Sequence, residues 1–485
     1  MGTLGKKKFI HLAIAFIIFL LLKLCLPLDS GLTPAGASVI GIFIATIYIW
    51  LTVGVDWTSL LAVCLLAFTG VTSAASVWQI SWGGMIGVLV ITVLILNDPV
   101  VKCGLAQAVA NWFITRKATA NRPYVFFLLF MLANFIVSCF LEMIPAAVIF
   151  STIAKSILID LGYTGEDKFS KALMLSVLWT SAVGNGATPL GHPITLTLLG
   201  ILQNITGLSV SYLSYMAIGL PFGLIFVALC WLVIRYIIKP DCSKFDNYDI
   251  EKIKANSKPL DKGAKIITTV FMLVVFSWIL PDLAAPFSPA FAGYIRNLGA
   301  IVPIVLGIGV LCIIEVDKKP LLNIREAMRD MAWSTALFAT SIGAFSTVLT
   351  MESAGVTPFL INVITPIAAV LSDNMLVIVA FLILLTLTNL MSNGVSGTIV
   401  MSIFVPMILL LNDSGSSISV IGFGVLVSFV AQTAFMTPSS CAPAPLIYSS
   451  GYVTTSDGAK YGFPLVLMSL LVASFIVFPF AQLIL

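Results

Sequence analysis

The chain reads as long apolar runs separated by short polar stretches. A hydrocarbon core of about 30 Å is crossed by about 20 apolar residues in a helix. Runs of that order place helices near 9–28, 35–53, 58–70, 83–97, 123–140, 144–160, 172–200, 213–238, 264–282, 297–315, 331–350, 375–391, 395–411, 417–436 and 462–485. Several are short enough to be re-entrant halves rather than full crossings. One run breaks the pattern. Leu385–Pro406, LTLTNLMSNGVSGTIVMSIFVP, is apolar at both ends but polar and glycine-rich in the middle, at Thr388, Asn389, Ser392, Asn393, Gly394, Ser396, Gly397 and Thr398. Non-helical backbone at membrane depth survives only where protein or a water-filled cavity surrounds it. A helix interrupted at Ser392-Asn393-Gly394 therefore points to a binding site near the midplane, with half-helix ends aimed at a ligand or ion. The competing reading is a set of small and polar residues that lets two membrane helices pack closely.

Composition settles the class. Of 485 residues, 59% are hydrophobic and only 9% charged, with a mean hydropathy of +1.10, whereas a soluble domain carries about 25% charge. The reading is an all-α polytopic membrane protein with no soluble domain. Lys6, Lys7 and Lys8 precede the first apolar run. That run is too long for a signal peptide and lacks a small-residue cleavage site, so it is taken as the first membrane helix. The eight cysteines are scattered with no CxxC pair, which indicates neither metal ligation nor a disulfide framework. The net charge of +4 belongs to membrane topology and carries no nucleic-acid signal.

Lysine and arginine sort the loops. With the N-terminus in the cytoplasm, and with 123–160 and 375–411 as hairpins that enter and return on one side, every one of the 25 basic residues falls on the cytoplasmic face except Lys23 and Arg296. Lys23 can snorkel from near a helix end. The C-terminus is then outside. Treating both hairpins as full crossings would put Arg116–Arg122 and Lys155–Lys171 on opposite faces. The one long polar stretch, residues 239–265, reads as a solvated cytoplasmic linker between two halves, with a lipid-headgroup patch as the functional alternative. The boundaries that follow are 1–122 and 266–374 for the scaffold parts, and 123–238 and 375–485 for the transport parts.

The two halves align. Ser138–Met143 precedes Thr388–Asn393 by 250 residues, and Thr188-Pro189 in GNGATPLGHP precedes Thr437-Pro438 in TAFMTPSSCAP by 249. The first hairpin opens from the cytoplasm and the second from outside, so the repeat is inverted. Interrupted helices at matching positions of two halves are the mark of a secondary transporter. The expected fold is an inverted repeat with two re-entrant helical hairpins and two unwound transmembrane helices, arranged as a scaffold plus a transport domain.

Four broken elements converge in this picture: 138–145, 184–193, 388–398 and 433–443. They contain no Arg or Lys. A bound anion would meet helix N-termini and Asn or Ser side chains, and the candidates are Asn185, Thr188, Pro189, Ser392, Asn393, Gly394, Thr437, Pro438 and Ser440. Unwound carbonyls and Ser, Thr or Asn oxygens suit sodium. Glu142 is the one carboxylate among them, and an ionisable group at membrane depth marks a functional site by default. It would coordinate sodium or carry a proton; the plain alternative is a protonated, hydrogen-bonded side chain. His192 reads as a neutral hydrogen-bonded residue. Cys441 reads as packing or weak polar lining.

The motifs GNGATPLGHP, MSNG and FMTPSSCAPAPLIYSSGYVTTSDGAKYG resemble those of the divalent anion/sodium symporter family, and the resemblance covers nearly the whole chain. It implies a homodimer in the cytoplasmic membrane with elevator-like movement of the transport domain. It also implies sodium-driven uptake of dicarboxylates, citrate or sulfate, with sodium as coupling ion and no other cofactor. Carried over by position, Ser138, Glu142, Gly184 and Gly186 form a first sodium site. Thr388, Met391, Asn393, Ser439 and Cys441 form the second. The family's serine-asparagine-threonine tip is replaced in the first hairpin by Glu142-Met143-Ile144 and in the second by Ser392-Asn393-Gly394. A fixed carboxylate beside a dianion repels it unless protonated or screened. A smaller or singly charged carboxylate is therefore expected, or proton uptake at Glu142.

The leading expectation is a sodium-coupled carrier of a small carboxylate or inorganic oxyanion, with a proton-coupled carrier or exchanger using Glu142 as the alternative. An enzyme would need a nucleophile with a base or a metal cluster. The chain offers only His11 and His192, and neither HExxH nor GxSxG. A passive channel fits poorly with two occluding hairpins.

Overall fold

The computed structural model describes all residues except 1–2, 29–30, 249, 256–258, 357, 360–361 and 363–371. Its first half holds α1 (Thr3–Cys25), α2 (Pro34–Thr52), α3 (Asp56–Ala67), α4 (Ala74–Gly83), α5 (Met85–Lys102), α6 (Leu105–Ile114), α7 (Pro123–Ser138), α8 (Met143–Asp160), α9 (Lys168–Ala187), α10 (Pro193–Thr206) and α11 (Tyr212–Leu232). The second holds α12 (Ile250–Ala255), α13 (Lys262–Ala284), α14 (Pro289–Leu298), α15 (Ile301–Ile313), α16 (Ile324–Asp330), α17 (Trp333–Thr350), α18 (Asp373–Leu390), α19 (Asn393–Asp413), α20 (Val420–Val430), α21 (Ala444–Tyr448), α22 (Thr455–Val472) and α23 (Phe478–Ile484). Among the described residues nine helices are long and apolar enough to cross a membrane. A two-residue β-ribbon, Glu315–Val316 with Lys319–Pro320, is the only sheet among them. In hydrocarbon every backbone group needs an internal partner, and helices supply it.

The halves interdigitate. From the second half, α17 packs against α3, α4, α5 and α10 of the first. In turn α10 leans on α19 and α20 of the second. Phe43, Trp50, Phe338 and Phe345 form a continuous aromatic contact between α2 and α17, with Trp50 and Phe338 centroids 4.9 Å apart. On the other side, α9 is the hub that α7, α8 and α11 surround.

Two helix–turn–helix units flank this interface. In α7–α8, Phe130 lies eight residues before the last residue of α7 and Phe150 seven after the first of α8, and their ring centroids are 5.5 Å apart, so the arms run back antiparallel. In α18–α19, Phe381 and Phe404 from the two arms both meet Phe423 of α20, at 5.7 and 6.3 Å. The α7 helix has 16 residues, short for a full crossing.

The span 172–200 is two helices, α9 and α10, with the chain extended or turning at 188–192, inside the broken element 184–193. Two expectations change. Gly184, Asn185 and Gly186 are not a loop; they complete the last turn of α9. The stretch 239–265 is not simply solvated. Phe245 and Tyr248 are buried; they stack on each other at 4.9 Å and meet Phe126 tilted and edge-on at 5.2 and 5.1 Å. Tyr248 donates to Ile114 O at 2.9 Å and Lys244 to Gly162 O at 2.9 Å. Two aromatics in a lysine-rich run outweighed its charge because a pocket of Phe126, Phe127 and Phe169 was there to receive them. A second tie joins the halves: Lys171 of α9 pairs with Asp457 of α22 at 3.1 Å, and Asp457 also closes a capping box with Thr454.

Candidate functional site

Where a helix stops inside the bilayer, its loose N–H and C=O groups need partners. At the first break Thr188 supplies them. Its hydroxyl donates to Cys139 O in the hairpin turn and accepts from Leu190 N (3.3 Å) and Gly191 N (3.2 Å). Asn185 donates to Ser138 O at 2.8 Å and Leu141 O at 3.1 Å. The break is thereby stitched onto the α7–α8 turn. The backbones lie so close that a Cβ on Gly191 would stand 2.7 Å from Ser138 O, which only glycine permits. His192 caps α10, its Nδ1 accepting from Ile194 N at 3.0 Å.

The second break repeats the device. Thr437 donates to Asn389 O at 2.6 Å. Thr188–Cys139 and Thr437–Asn389 are the same hydrogen bond, displaced by 249 residues at the threonine and 250 at the carbonyl. Asn389 Oδ1 accepts from Phe435 N (2.8 Å) and Met436 N (3.2 Å), and its amide donates to Thr433 O (3.2 Å). One asparagine side chain thus replaces part of the helical ladder that 431–443 lacks. Ser439 donates to Leu390 O at 3.1 Å, and Ser440 to Thr437 O at 2.7 Å. Cys441 is buried with its Sγ 4.0 Å from Ala434 O.

Within this second half, Thr388 Oγ1 stands 2.9 Å from Asn393 Oδ1 and 2.5 Å from Ala431 O. Asn393 in turn donates to Gln432 Oε1 at 3.0 Å. Only Met391 and Ser392 are non-helical at this tip; Asn393 and Gly394 open α19. The interruption expected at Ser392-Asn393-Gly394 is thus narrower, because Ser392 acts as the N-cap residue. A Cβ on Gly394 would stand 2.9 Å from Phe338 of α17, so this tip abuts the other packing group.

The two breaks meet. A Cβ on Gly186 would lie 3.1 Å from Gln432 Cβ, and Trp179 of α9 donates to Phe435 O at 3.2 Å. Ser138, Gly184, Asn185, Gly186, Thr188 and Pro189 belong to one cluster; Thr388, Met391, Ser392, Asn393, Thr437, Pro438, Ser439, Ser440 and Cys441 belong to the other. Glu142 is half-buried and caps α8, its Oε2 accepting from Ile144 N at 3.2 Å. None of its hydrogen bonds reaches Ser138 or the residues of the second break. Sequence reasoning left out Asn134 and Gln432, and it named Asn389 in the polar run without giving it a role. Asn134 donates to Thr180 Oγ1 at 2.8 Å and Ser181 Oγ at 3.0 Å and accepts from Ser138 Oγ at 3.4 Å. Its signal was available: a lone asparagine in the apolar run FMLANFIVS. Among the described residues nine buried side-chain atoms lack a partner; they include Asn185 Oδ1 and Thr195 Oγ1 near the first break and Gln432 Nε2 and Thr398 Oγ1 near the second.

A match to the family described as "Sodium:sulfate symporter transmembrane region" spans residues 6–484. The chain belongs to that family. It is a multi-pass membrane transporter and not an enzyme. Family relatives include the sodium-dependent dicarboxylate transporter SdcS of Staphylococcus saprophyticus, 24% identical over 95% of this chain and 89% of its own length. The sodium-dependent low-affinity dicarboxylate transporter 1 of Caenorhabditis elegans is 25% identical over 60% of this chain and 52% of its own. The solved structure of the Alcanivorax borkumensis YdaH transporter shares the fold, with a TM-score of 0.58 over 83% of this chain and 87% of its own at 15% identity.

The paired threonine bonds generate a prediction for this family member. Thr188→Val and Thr437→Val each strand a buried carbonyl, at a cost of about 1–3 kcal/mol. Each should lower the thermal midpoint of the detergent-solubilised protein, while Thr188→Ser and Thr437→Ser should hold it. Equal midpoints for valine and serine variants would show that the hydroxyls do not maintain the breaks.

Proposed function

We propose that the protein carries a small carboxylate or inorganic oxyanion across the cytoplasmic membrane, driven by sodium. One observation carries the reading. Thr388 Oγ1, Asn393 Oδ1 and Ala431 O form an oxygen cluster in which a single hydroxyl hydrogen serves two carbonyl acceptors. Uncompensated lone pairs facing one another in a low-dielectric interior are costly. A hard cation with oxygen ligands relieves that cost, and half-helix ends with unwound carbonyls are where sodium sits in carriers of this general architecture. The names of the family relatives support the same ion.

The cargo side follows from what the breaks leave unused. Gln432 Nε2 is a buried donor without a partner next to Asn393, and the α19 N-terminus carries partial positive charge. Together with Ser392, Gly394 and Ser440 they suit one carboxylate or oxyanion end. Asn185, Thr188 and Pro189 would line the first half. Ser138 and Asn185 Oδ1 would offer oxygens to a second cation. Glu142 brings negative charge and no donor unless protonated, so the site favours a singly charged cargo or a proton taken up at Glu142.

The two hairpins are read as re-entrant, entering from opposite faces with the N-terminus in the cytoplasm and the C-terminus outside. Movement would be of the elevator kind, with α10 and α19 sliding on α17 in each protomer of a homodimer. Small residues along the moving helices favour sliding: Gly394 of α19 faces Phe338 of α17, and Gly200 of α10 faces Ile86 of α5.

Proteoliposomes test the coupling. Uptake of a small carboxylate should rise with an inward sodium gradient, and Asn393→Ala should remove that dependence. Uptake that ignored both sodium and proton gradients would overturn the reading. If Glu142 must be protonated to admit an anion, uptake falls as pH rises through its titration, and Glu142→Gln gives a flat profile. A variant with the wild-type slope would exclude that role.

A further inference from the structure

Away from the breaks, the first three helices leave a cleft of about 400 Å³. One face of each helix lines it. From α1 come Leu12, Phe16, Phe19 and Lys23, spaced by three, four and seven residues as one helical stripe requires. Ile42 and Ile49 of α2, and Leu61 and Leu65 of α3, complete the walls.

Three features say what fills it. The first is exposure: α1 packs chiefly on α2, and only 6% of its apolar window is buried, so the cleft opens to the surrounding hydrocarbon. The second is length. Leu12 to Lys23 is eleven residues, about 16 Å at 1.5 Å per residue, and one leaflet of hydrocarbon is about 15 Å deep. The third is charge. Lys23 stands at the end of the cleft, near the C-terminus of α1, with its ammonium 5.7 Å over the Phe19 ring. Among the described residues no carboxylate pairs with it. A greasy slot one leaflet deep with a cation at its headgroup end matches one molecule. The lysine stem can lie along the apolar wall while its ammonium stays at the interface.

We propose that the cleft between α1, α2 and α3 holds one acyl chain of an anionic phospholipid, whose phosphate is met by Lys23. The lipid completes the packing of α1, which otherwise rests chiefly on α2. This site is separate from the transport pathway and does not depend on the proposed cargo.

Native mass spectrometry tests it. Full-length protein is reconstituted in nanodiscs of equal phosphatidylglycerol and phosphatidylcholine, then released into mild detergent, and retained lipids are counted. Wild-type protein should keep one phosphatidylglycerol in about five-fold preference to phosphatidylcholine, the scale of one lysine at an anionic surface. Lys23→Glu and the milder Lys23→Gln should lose that molecule, and Lys23→Arg should keep it. Leu65→Trp, which fills the cleft from its rim, should lose either lipid. Retention unchanged in Lys23→Glu and Lys23→Gln, or no preference in the wild type, would overturn the proposal. So would a Leu65→Trp protein that keeps its lipids but changes oligomeric state, since the occupant would then be a second copy of the chain.

Discussion

The structure turns on the cost of bare backbone in hydrocarbon. Each unsatisfied N–H or C=O there costs several kcal/mol, so a helix can stop in the membrane only if side chains finish its hydrogen bonding. Thr188 and Thr437 do this with equivalent bonds to Cys139 O and Asn389 O. Asn185 and Asn389 do the rest, each with an amide that reaches across to a neighbouring turn. Much of the polar chemistry that looks like a binding site is thus committed to holding the breaks open. In the proposed function, what is left for an ion and its cargo would be atoms outside that scaffolding: Asn185 Oδ1, Gln432 Nε2, the Thr388–Asn393–Ala431 oxygens and the new helix N-termini.

The two halves share a backbone device but not a chemistry. In the second, Ser392 and Asn393 open a helix and tie it to Gln432. At the equivalent place in the first, Glu142 caps the helix and Met143 is buried among apolar side chains. The oxygens of the first half come instead from Asn134, Ser138 and Asn185, one layer deeper. Under the proposed function, such unequal halves would let one half keep the ion while the other adjusts to the cargo.

Much of this was legible in the sequence. The offsets of 249 and 250 residues located both breaks, because a transporter's repeats leave their interruptions in register even when other identity has faded. Glycine and proline flagged 184–193 and 433–443, yet they overstated the unwinding. Gly184 and Gly186 are helical, and their small size serves close packing on Ser138 and Gln432. The aromatic anchoring of Phe245 and Tyr248 could not be read locally, since the pocket that buries them comes from Phe126 and Phe169, far earlier in the chain. Gln432 was missed for the same reason: its importance is its contact with Asn393 and Gly186, not its neighbours in the chain.

The most direct measurement is a cryo-EM map of the protein in lipid nanodiscs, recorded once in sodium and once in choline. The account predicts two interrupted helices, at 188–192 and 431–443, meeting at Gly186 and Gln432. It also predicts an ion-sized density among Thr388, Asn393 and Ala431 that is present only in sodium. Continuous helices through both stretches, or the same map in either salt, would contradict it.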